Sequence, residues 1–360
     1  MNPAATSPTP PPPTYPEVLQ QLQARPRRWL VTGAAGFIGS HLVETLLKAG
    51  QTVIAFDNFS TGSPQNLAEA VGGAERVHAR TSRPKSRFTL VEGDSRDPNA
   101  CRNAMTRGVD YVLHHAAISE APSPNEQMVQ FHAENVTGML LMLEAAQAAD
   151  VQRFVYASSS DVYGDAATQP CREDITGRAL SPFALSKQMN EMYASLYARL
   201  YNLSAVGLRY FQVFGPRQNL LGDDIIARWI TAMLRGGEVV IPGEGDFAAD
   251  YCYVANIVQA NIMAACCPLT ARKHMTCNIA SSRPIRLLEL FLEMRAAVAV
   301  RHKSVRNLMP SYRPPQPGEL RPLLPDITRA RTMLGYEPMH DVAAGLEASM
   351  LWYEGNLFEG

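Results

Sequence analysis

The sequence predicts an α/β protein with a doubly wound parallel sheet and a smaller C-terminal lobe. The apolar run Trp29–Thr32 leads into a glycine-rich turn. Apolar residues then recur at helical spacing from Ser40 to Ala49, and Val53–Phe56 has the composition of a second strand. A strand, a turn, a helix and a further strand in this order are typical of parallel strands joined by helical crossovers.

The same alternation continues through the first 210 residues. Further strands are predicted over 88–91, 111–114, 154–157 and 205–209, and helices over 131–149 and 184–201. After residue 210 the alternation weakens, and proline and glycine become frequent. We therefore expect a main domain over 26–210 and a smaller lobe over 211–360, with some C-terminal segments returning to the main domain.

Two segments depart from this pattern. Residues 1–25 are rich in proline, which predicts a disordered tail; a ligand for a proline-recognition domain is the alternative. Within the tail, Val18–Leu22 is compatible with a short helix docked on the body. Residues 72–87 are irregular and basic, which predicts a solvated loop before a strand, with an anion-binding patch as the alternative.

The composition is that of an ordinary soluble globular protein. Of 360 residues, 46% are apolar and 19% charged, and the formal net charge of −1 favours neither nucleic acid nor a membrane as partner. No apolar run approaches the ~18–20 residues that span a bilayer, and the N-terminus lacks the apolar core of a signal peptide. The six cysteines have no metal-site spacing, so we expect buried thiols, no metal and a cytoplasmic location.

The glycine-rich turn predicts a dinucleotide site of the Rossmann type. Gly33, Gly36 and Gly39 are spaced G-x-x-G-x-x-G, with Phe37 and Ile38 between the last two. Glycines allow a tight turn and a close approach to a pyrophosphate, and the following helix offers free N–H groups and a positive dipole. The sequence therefore predicts that residues 26–210 bind a dinucleotide.

Acidic and small residues at later strand ends indicate which dinucleotide binds. Asp57 ends the second strand, where its carboxylate would accept hydrogen bonds from ribose hydroxyls and repel a 2′-phosphate, so NAD is favoured over NADP. Asp94 follows the third strand, within reach of the adenine amine. Ala116 and Ala117 follow the fourth strand, where small side chains let the dinucleotide pass.

These motifs resemble the extended short-chain dehydrogenase/reductase family, and most closely its UDP-N-acetylglucosamine 4-epimerases of bacterial surface-polysaccharide biosynthesis. The resemblance runs from about Tyr15 to the C-terminus. Besides the glycine turn, it rests on 56–62, 158–164, 181–187, 208–211, 213–215 and 334–336. It implies NAD as cofactor, a nucleotide-sugar as substrate and residues 211–360 as mainly the substrate lobe. The cofactor-binding residues that it implies, beyond those already named, are Asn58, Ser95, Lys187 and Tyr210.

The resemblance also implies a mechanism, and this chain lacks one of its groups. In the family, a serine orients the sugar 4-hydroxyl, a tyrosine removes its proton, and NAD takes the hydride from carbon 4 before returning it to the other face. Ser159 matches the serine, and Lys187 matches the ribose-binding lysine. The tyrosine position, four residues before that lysine, is Phe183. Phenylalanine fills the volume of tyrosine without its hydroxyl, so we expect the packing to survive and the usual base to be missing.

The substrate-binding motifs depart from the family at several further positions. Gln212 replaces an asparagine, Ala249 replaces a diphosphate-binding arginine before the expected Asp250, and Gln316 and Glu319 replace an arginine and an aspartate. Arg217 and Arg321 lie close by and are candidates to compensate for the lost charge. The predicted substrate-binding residues are Ser119, Ser160, Gln212, Arg217, Ala249, Gln316 and Glu319.

Two carboxylates are candidates to replace the missing base. Asp161 lies two residues before Tyr163, where related dehydratases and decarboxylases carry a glutamate, and Glu120 lies in a loop that faces the sugar in the family. The alternative readings are that Asp161 caps a turn and that Glu120 is a solvated loop residue. We expect Tyr163 to be packed, and His114 and His115 to belong to the core and the cofactor loop.

Three functions are consistent with this sequence. The first is a divergent, possibly impaired NAD-dependent 4-epimerase of UDP-N-acetylhexosamines. The second is a nucleotide-sugar dehydratase or decarboxylase that uses Asp161, and the third is a non-catalytic NAD-binding regulator or scaffold. Family dimers pair the helices near 131–149 and after 182, both of which have apolar faces here, so we expect a homodimer.

Overall fold

The computed structural model describes residues 11–79, 87–119, 127–166, 168–220, 222, 224–268, 273–315 and 323–358. A seven-stranded parallel sheet forms its centre. The strands of this sheet are β1 Arg28–Thr32, β2 Thr52–Asp57, β3 Phe88–Glu92, β4 Tyr111–His114, β5 Arg153–Ser159, β6 Ala205–Tyr210 and, much later in the chain, β11 His274–Ile279. The six strands predicted from the sequence are all present, and the doubly wound parallel sheet is confirmed.

The sheet order places a crevice at one position. Neighbouring strands follow the order β11-β6-β5-β4-β1-β2-β3, so the order reverses between β1 and β4. Ligands of open parallel sheets bind beyond the carboxyl ends of the strands at such a reversal. The predicted glycine turn follows β1, which puts it at this crevice.

Helices cover both faces of the sheet, and a group of helices and short strands forms the smaller lobe. The helices are α1 Tyr15–Ala24, α2 Phe37–Lys48, α3 Pro64–Ala79, α4 Pro98–Met105, α5 Gln127–Phe131, α6 Gly138–Ala148, α7 Pro182–Tyr201, α8 Ile225–Arg235, α9 Val254–Cys266, α10 Leu287–Ala299, α11 Thr328–Leu334 and α12 Val342–Phe358. The short strands are β7 Val213–Phe214, β8 Val240–Pro242, β9 Ala248–Ala249, β10 Cys252–Tyr253, β12 Ile285–Arg286 and β13 Ser311–Arg313.

Three shorter helical turns interrupt or follow these elements. His132–Thr137 is a π-helical turn between α5 and α6, and Ser160–Tyr163 and Lys303–Asn307 are 3₁₀ turns. Among the described residues, no helix is both long and apolar enough to cross a membrane.

Most strands of the sheet are buried on both faces, because helices cover both faces and side chains alternate between them. The edge strand β3 is partly exposed. In β1, Trp29 and Val31 belong to the core beneath α2 and α9, whereas Leu30 belongs to the core beneath α4 and α6. A third core, built around Trp229, Phe291 and other residues of α8, α10 and α12, fills the smaller lobe. As predicted, part of the C-terminal half returns to the main domain, since β11 pairs with β6.

The structure corrects two expectations about irregular segments. Residues 15–24 of the predicted tail form α1, which begins where the Glu17 carboxylate accepts hydrogen bonds from Thr14 N (2.7 Å) and Oγ1 (2.8 Å). Val18 and Leu22 are buried in the core beneath α9, so this helix docks on the body. Residues 72–79 of the predicted loop continue α3. Helical propensity and one apolar stripe outweigh the prolines and charges nearby. Residues 1–10 and 80–86 lie outside the described ranges.

Candidate functional site

The turn between β1 and α2 requires glycine. Gly33 has φ +63°, and a Cβ there would lie 2.7 Å from the backbone of His115 and Ala116. A Cβ on Gly39 would meet the backbone of Gly33 and Ala34. The loop after β4 therefore packs against the turn so closely that only glycine fits. Helix α2 begins after its N-cap residue Gly36, so its N-terminus lies at the crevice.

A cleft opens at this turn. It brings together residues that lie far apart in the sequence: Gly33, Gly36, Phe56, Asp57, Asn58, Ser60, Thr61, Gly62, Gly93, Ser95, His115, Ala116, Ala117, Ile118 and Glu134. Seven predicted cofactor residues are among them. The remaining predicted ones, Phe37, Ile38, Gly39, Asp94, Lys187 and Tyr210, lie outside this lining; Phe37 and Ile38 pack against the core of the smaller lobe.

Asp57 holds the two loops that flank the cleft. Its buried carboxylate accepts hydrogen bonds from Ala35 N in the glycine turn and from Phe59 N after β2, both at 2.8 Å. The same carboxylate lines the cleft. A ribose that entered here would therefore meet a negative charge already fixed in place by two backbone groups.

Asp94 is drawn into an ion-pair network at the rim of the cleft. Arg96 contacts the Asp94 carboxylate at 2.6 Å and the Glu134 carboxylate at 2.9 Å, and Asn58 Nδ2 donates to Asp94 at 3.1 Å. The hydrogen bonds from Arg96 lower the pKa of Asp94 to about 2. The adenine contact predicted for Asp94 stays a prediction, because its carboxylate already has these partners.

Glu134 is a cleft residue that sequence reasoning missed. It lies in the π-helical turn, and partial burial raises its pKa. The adjoining Asn135 bonds to the other side of the site: its side chain accepts from Ile118 N (2.8 Å) and donates to Ile118 O (2.9 Å) and Ser186 Oγ (3.1 Å). A helical pattern in the sequence gives no sign of a π turn, and π turns are frequent at functional sites.

Phe183 and Lys187 lie at the start of α7, one helical turn apart. Ser181 caps this helix by accepting a hydrogen bond from Ala184 N at 3.0 Å, and Pro182 occupies its first turn. The Lys187 amine lies 5.3 Å from the centre of the Phe183 ring and donates to Ala157 O at 3.0 Å. Burial lowers the pKa of Lys187 to about 8. The predicted pairing of these two positions on one helical face is present.

The serines at the end of β5 follow Ala157, whose carbonyl oxygen accepts the hydrogen bond from Lys187. Ser159 Oγ accepts a hydrogen bond from Asp161 N at 3.1 Å and so caps the 3₁₀ turn. Ser160 is buried, whereas Asp161 and Ser119 are exposed. Tyr163 is buried and donates its hydroxyl to Asn278 at 2.6 Å, so the expectation that it is packed is confirmed.

His114, the last residue of β4, is a buried core residue, as predicted, and the adjoining His115 lines the cleft. Burial lowers the pKa of His114 to about 3 and that of His115 to about 4. His114 Nδ1 lies 2.8 Å from Thr32 Oγ1, and His115 Nε2 lies 3.1 Å from Asn261 Oδ1. His115 also stacks on Tyr210, with ring centres 6.0 Å apart.

Arg217, a predicted substrate residue, makes two ion pairs with the main domain. It is nearly buried, and its guanidinium pairs with Glu44 on α2 at 2.6 Å and with Glu69 on α3 at 3.3 Å. It therefore ties the segment after β7 to the main domain, and its contact with a diphosphate stays a prediction. The sequence could not reveal these pairs, because the partners lie far apart along the chain.

The remaining predicted substrate residues are polar or small groups with local roles. Gln212 is exposed at φ +23°, and its carbonyl accepts from Cys252 N at 2.9 Å. Ala249 is buried in β9 beside Asp250, which accepts from Ser281 N at 2.7 Å and Arg283 N at 3.1 Å. Glu120, Gln316, Glu319 and Arg321 lie outside the described residues.

The parallel sheet, the glycine turn at its crevice and the carboxylate after β2 define a dinucleotide-binding protein with an attached substrate lobe. The family described as "NAD dependent epimerase/dehydratase family" matches residues 29–280. A putative UDP-glucose 4-epimerase of Methanocaldococcus jannaschii is 32% identical over 91% of this chain and 98% of its own length. The chain belongs to the NAD-dependent epimerase/dehydratase family, and the predicted cofactor, NAD, is the one that this family uses.

Solved structures agree with this assignment. The UDP-glucose 4-epimerase of Thermotoga maritima, crystallised with UDP-glucose, is 30% identical and superposes with a TM-score of 0.78 over 92% of this chain and 99% of its own. The UDP-N-acetylglucosamine 4-epimerase of Methanobrevibacter ruminantium, in complex with UDP-N-acetylmuramic acid, is 27% identical with a TM-score of 0.79 over the same shares. The resemblance to nucleotide-sugar 4-epimerases is thus confirmed.

Proposed function

We propose that this protein is an NAD-dependent 4-epimerase of UDP-N-acetylhexosamines whose activity is reduced by the loss of the family tyrosine. The observation that carries the proposal is the placement of Phe183 and Lys187 on one face of α7, with the lysine bonded to β5 close to Ser159. The relatives named above act on UDP-glucose and UDP-N-acetylglucosamine, which supports a UDP-sugar as substrate.

The cleft residues fit NAD. The glycines leave room that any Cβ would fill, and Asp57 lines the cleft where an adenosine ribose carries its hydroxyls. Lys187 would hold the ribose next to the nicotinamide. When bound, NAD supplies the acceptor for the hydride of sugar carbon 4. Ser159 would orient the 4-hydroxyl, since its oxygen accepts the Asp161 N–H bond and its own proton can be donated.

The rate and the affinity are both expected to be low. Losing a general acid/base costs about 10²–10⁴ in rate. By the family resemblance, Ala249 and Gln316 stand where two diphosphate-binding arginines are expected. Charge-assisted hydrogen bonds to a diphosphate contribute roughly 1.5–3 kcal/mol each, so losing both weakens binding by about two to four orders of magnitude.

The test is a proton NMR time course with UDP-N-acetylglucosamine, run on the unmodified protein and on Phe183→Tyr. Formation of UDP-N-acetylgalactosamine by both, faster for the variant, is the expected result. A 4-keto or decarboxylated product that disappears in Asp161→Asn would instead identify a dehydratase or decarboxylase. Bound NAD without turnover by either protein would identify a non-catalytic NAD-binding subunit.

We also propose a cytoplasmic homodimer. All six cysteines are free thiols, which suits a reducing compartment. The side chains of Met128 and Val129 on α5 and of Leu185 and Met192 on α7 are strongly exposed although they are apolar. These two helices pack beside each other, so their exposed residues supply the apolar surface that a second copy would cover.

A further inference from the structure

We propose that Lys187 is itself the acid/base group of this site, acting through one water that stands where relatives carry the tyrosine oxygen. This inference rests on the proposed function and answers what removes the sugar proton when the base is Phe183. It makes the lysine, which orients and stabilises in the family, the group that takes and returns the proton.

The geometry puts the amine at the reacting end of the sheet. Phe183 and Lys187 are separated by one turn of α7, and Nζ lies 5.3 Å from the centre of the phenyl ring. The amine donates to Ala157 O at 3.0 Å, two residues before Ser159 on the same strand. A water at the para position of Phe183 would therefore lie between the lysine and a hydroxyl that Ser159 holds.

Among the residues that the structure describes, none gives the Lys187 amine a counter-charge. Lys187 is 4% exposed, and Ala157 O is the acceptor that the described residues give it. His114 and His115 face it from β4 and are neutral near pH 7 because burial keeps their pKa values low. The Glu191 carboxylate on α7 is held by Arg209 at 2.7 Å, and the Glu134 carboxylate is held by Arg96 at 2.9 Å.

Two further titratable groups lie on neighbouring elements. His274 of β11 bonds to Tyr156 of β5 and has a pKa lowered by burial, and Asp161 is exposed at the start of the 3₁₀ turn. Burial lowers the pKa of Lys187 to about 8. An amine with that pKa is neutral in roughly one molecule in ten at pH 7 and in half of them at pH 8, so it can accept a proton.

The chemistry balances with the cofactor that the family uses. NAD, when bound, would accept the hydride that leaves the sugar as the C4–H bond breaks. The O–H bond of the 4-hydroxyl breaks at the same time, and its proton passes through the water to the neutral amine, so that a C=O bond forms. After the 4-keto sugar turns over in the site, the ammonium returns the proton to the oxygen and the hydride returns to the opposite face.

The first experiment measures the titration of Lys187 without any turnover. The NAD-loaded protein is labelled with ¹³C at lysine Cε, and the signal of Lys187 is assigned by its loss in Lys187→Met. Lys48→Met is the matched control, because Lys48 is an exposed lysine on α2 paired with Glu44. We expect the Lys187 signal to titrate near pH 8, and a midpoint above pH 10 would overturn the proposal.

The second experiment measures the pH dependence of hydride transfer, as absorbance at 340 nm after mixing with UDP-N-acetylglucosamine. We expect the rate of the unmodified protein to rise about tenfold per pH unit up to about pH 8. Lys187→Met, with its NAD content measured, should lose this activity and regain part of it with methylamine, in proportion to the free-base concentration.

The outcomes separate this inference from the proposed function. If Phe183→Tyr transfers hydride while the unmodified protein does not, the epimerase assignment stands and Lys187 is not a base. If the unmodified protein is active with a rate independent of pH between 6 and 9, Lys187 is again excluded. If neither protein transfers hydride although both bind NAD, the proposed function and this inference both fail.

Discussion

The Arg96 guanidinium lies 2.9 Å from the Glu134 carboxylate and joins the loop after β3 to the π-helical turn across the rim of the NAD cleft. Arg96 also holds Asp94 at 2.6 Å, which connects the same guanidinium to Asn58 in the cleft lining. These contacts place one cation among three polar side chains, two of which, Asn58 and Glu134, line the cleft.

Removing this cation should release NAD faster. The side chain of Arg96 is 42% exposed, and exposed ion pairs contribute about 0.2–1 kcal/mol. We therefore expect Arg96→Gln to raise the NAD dissociation rate roughly 2- to 5-fold, measured by stopped-flow competition. The effect should shrink at 1 M salt. Arg102→Gln, on the exposed side of α4, is the control, and equal dissociation rates for the two variants would contradict the prediction.

Gly39→Ala should abolish retention of NAD. A Cβ at Gly39 would collide with backbone atoms of Gly33 and Ala34, which cannot move aside without opening the turn. Gly355→Ala is a matched control, because nothing lies within 4 Å of its Cβ and it is helical; it should stabilise the fold by about 0.5–1 kcal/mol. The measurement is NAD released per chain on denaturation, and a full complement in Gly39→Ala would refute the assigned site.

Met192→Glu should convert the proposed dimer into a monomer. Met192 is 72% exposed on α7, in line with Leu185 and beside the exposed residues of α5, and a buried, unpaired carboxylate there would oppose association. Leu351→Glu is the control, since Leu351 is 65% exposed on α12. Light scattering after gel filtration gives the mass; a monomeric mass for the unmodified protein, or a dimeric one for Met192→Glu, would exclude this face as the interface.

Acid should destabilise the fold well above the pKa of its carboxyl groups. Burial lowers the pKa of His114 to about 3 and that of His41, His115 and His274 to about 4, against about 6.5 in an unfolded chain. A depressed histidine pKa means that the unfolded chain binds more protons between these values. The free energy of unfolding therefore has its full value above pH 6.5. It decreases as the pH is lowered below 6.5, by up to about 1.4 kcal/mol per pH unit for each histidine.

The free energy of unfolding in urea, measured at pH 7, 6 and 5, checks this prediction. His274→Gln preserves a polar partner for the Tyr156 hydroxyl, which lies 2.9 Å from His274 Nε2. This variant should lose about a quarter of the pH dependence and keep its stability at pH 7. A pH dependence that is the same with and without His274 would show that its buried neutral state does not limit stability.

Features that depend on local sequence patterns could be predicted from the sequence, whereas features that depend on contacts between distant residues could not. Apolar runs and the glycine spacing were sufficient for the six strands and for the turn at Gly33, because each depends on neighbours in the chain. The four-residue spacing of Phe183 and Lys187 likewise places both on one helical face. The ion pairs of Arg217 were missed, because its partners Glu44 and Glu69 belong to helices far back in the chain. Glu134 was missed, because a turn of π-helix has no sequence signature.

The π-helical turn fixes the rotation of α5 about the helix axis relative to the residues that line the cofactor cleft. His132–Thr137 contains one residue more per turn than an α-helix would need, and each residue of a helix turns the chain by about 100°. Deleting one residue here would rotate Met128 and Val129 about the helix axis relative to Asn135 and α6. The surface of α5 that we propose as the subunit contact and the cofactor cleft therefore have a fixed relative orientation. A change in the length of this turn would alter that orientation.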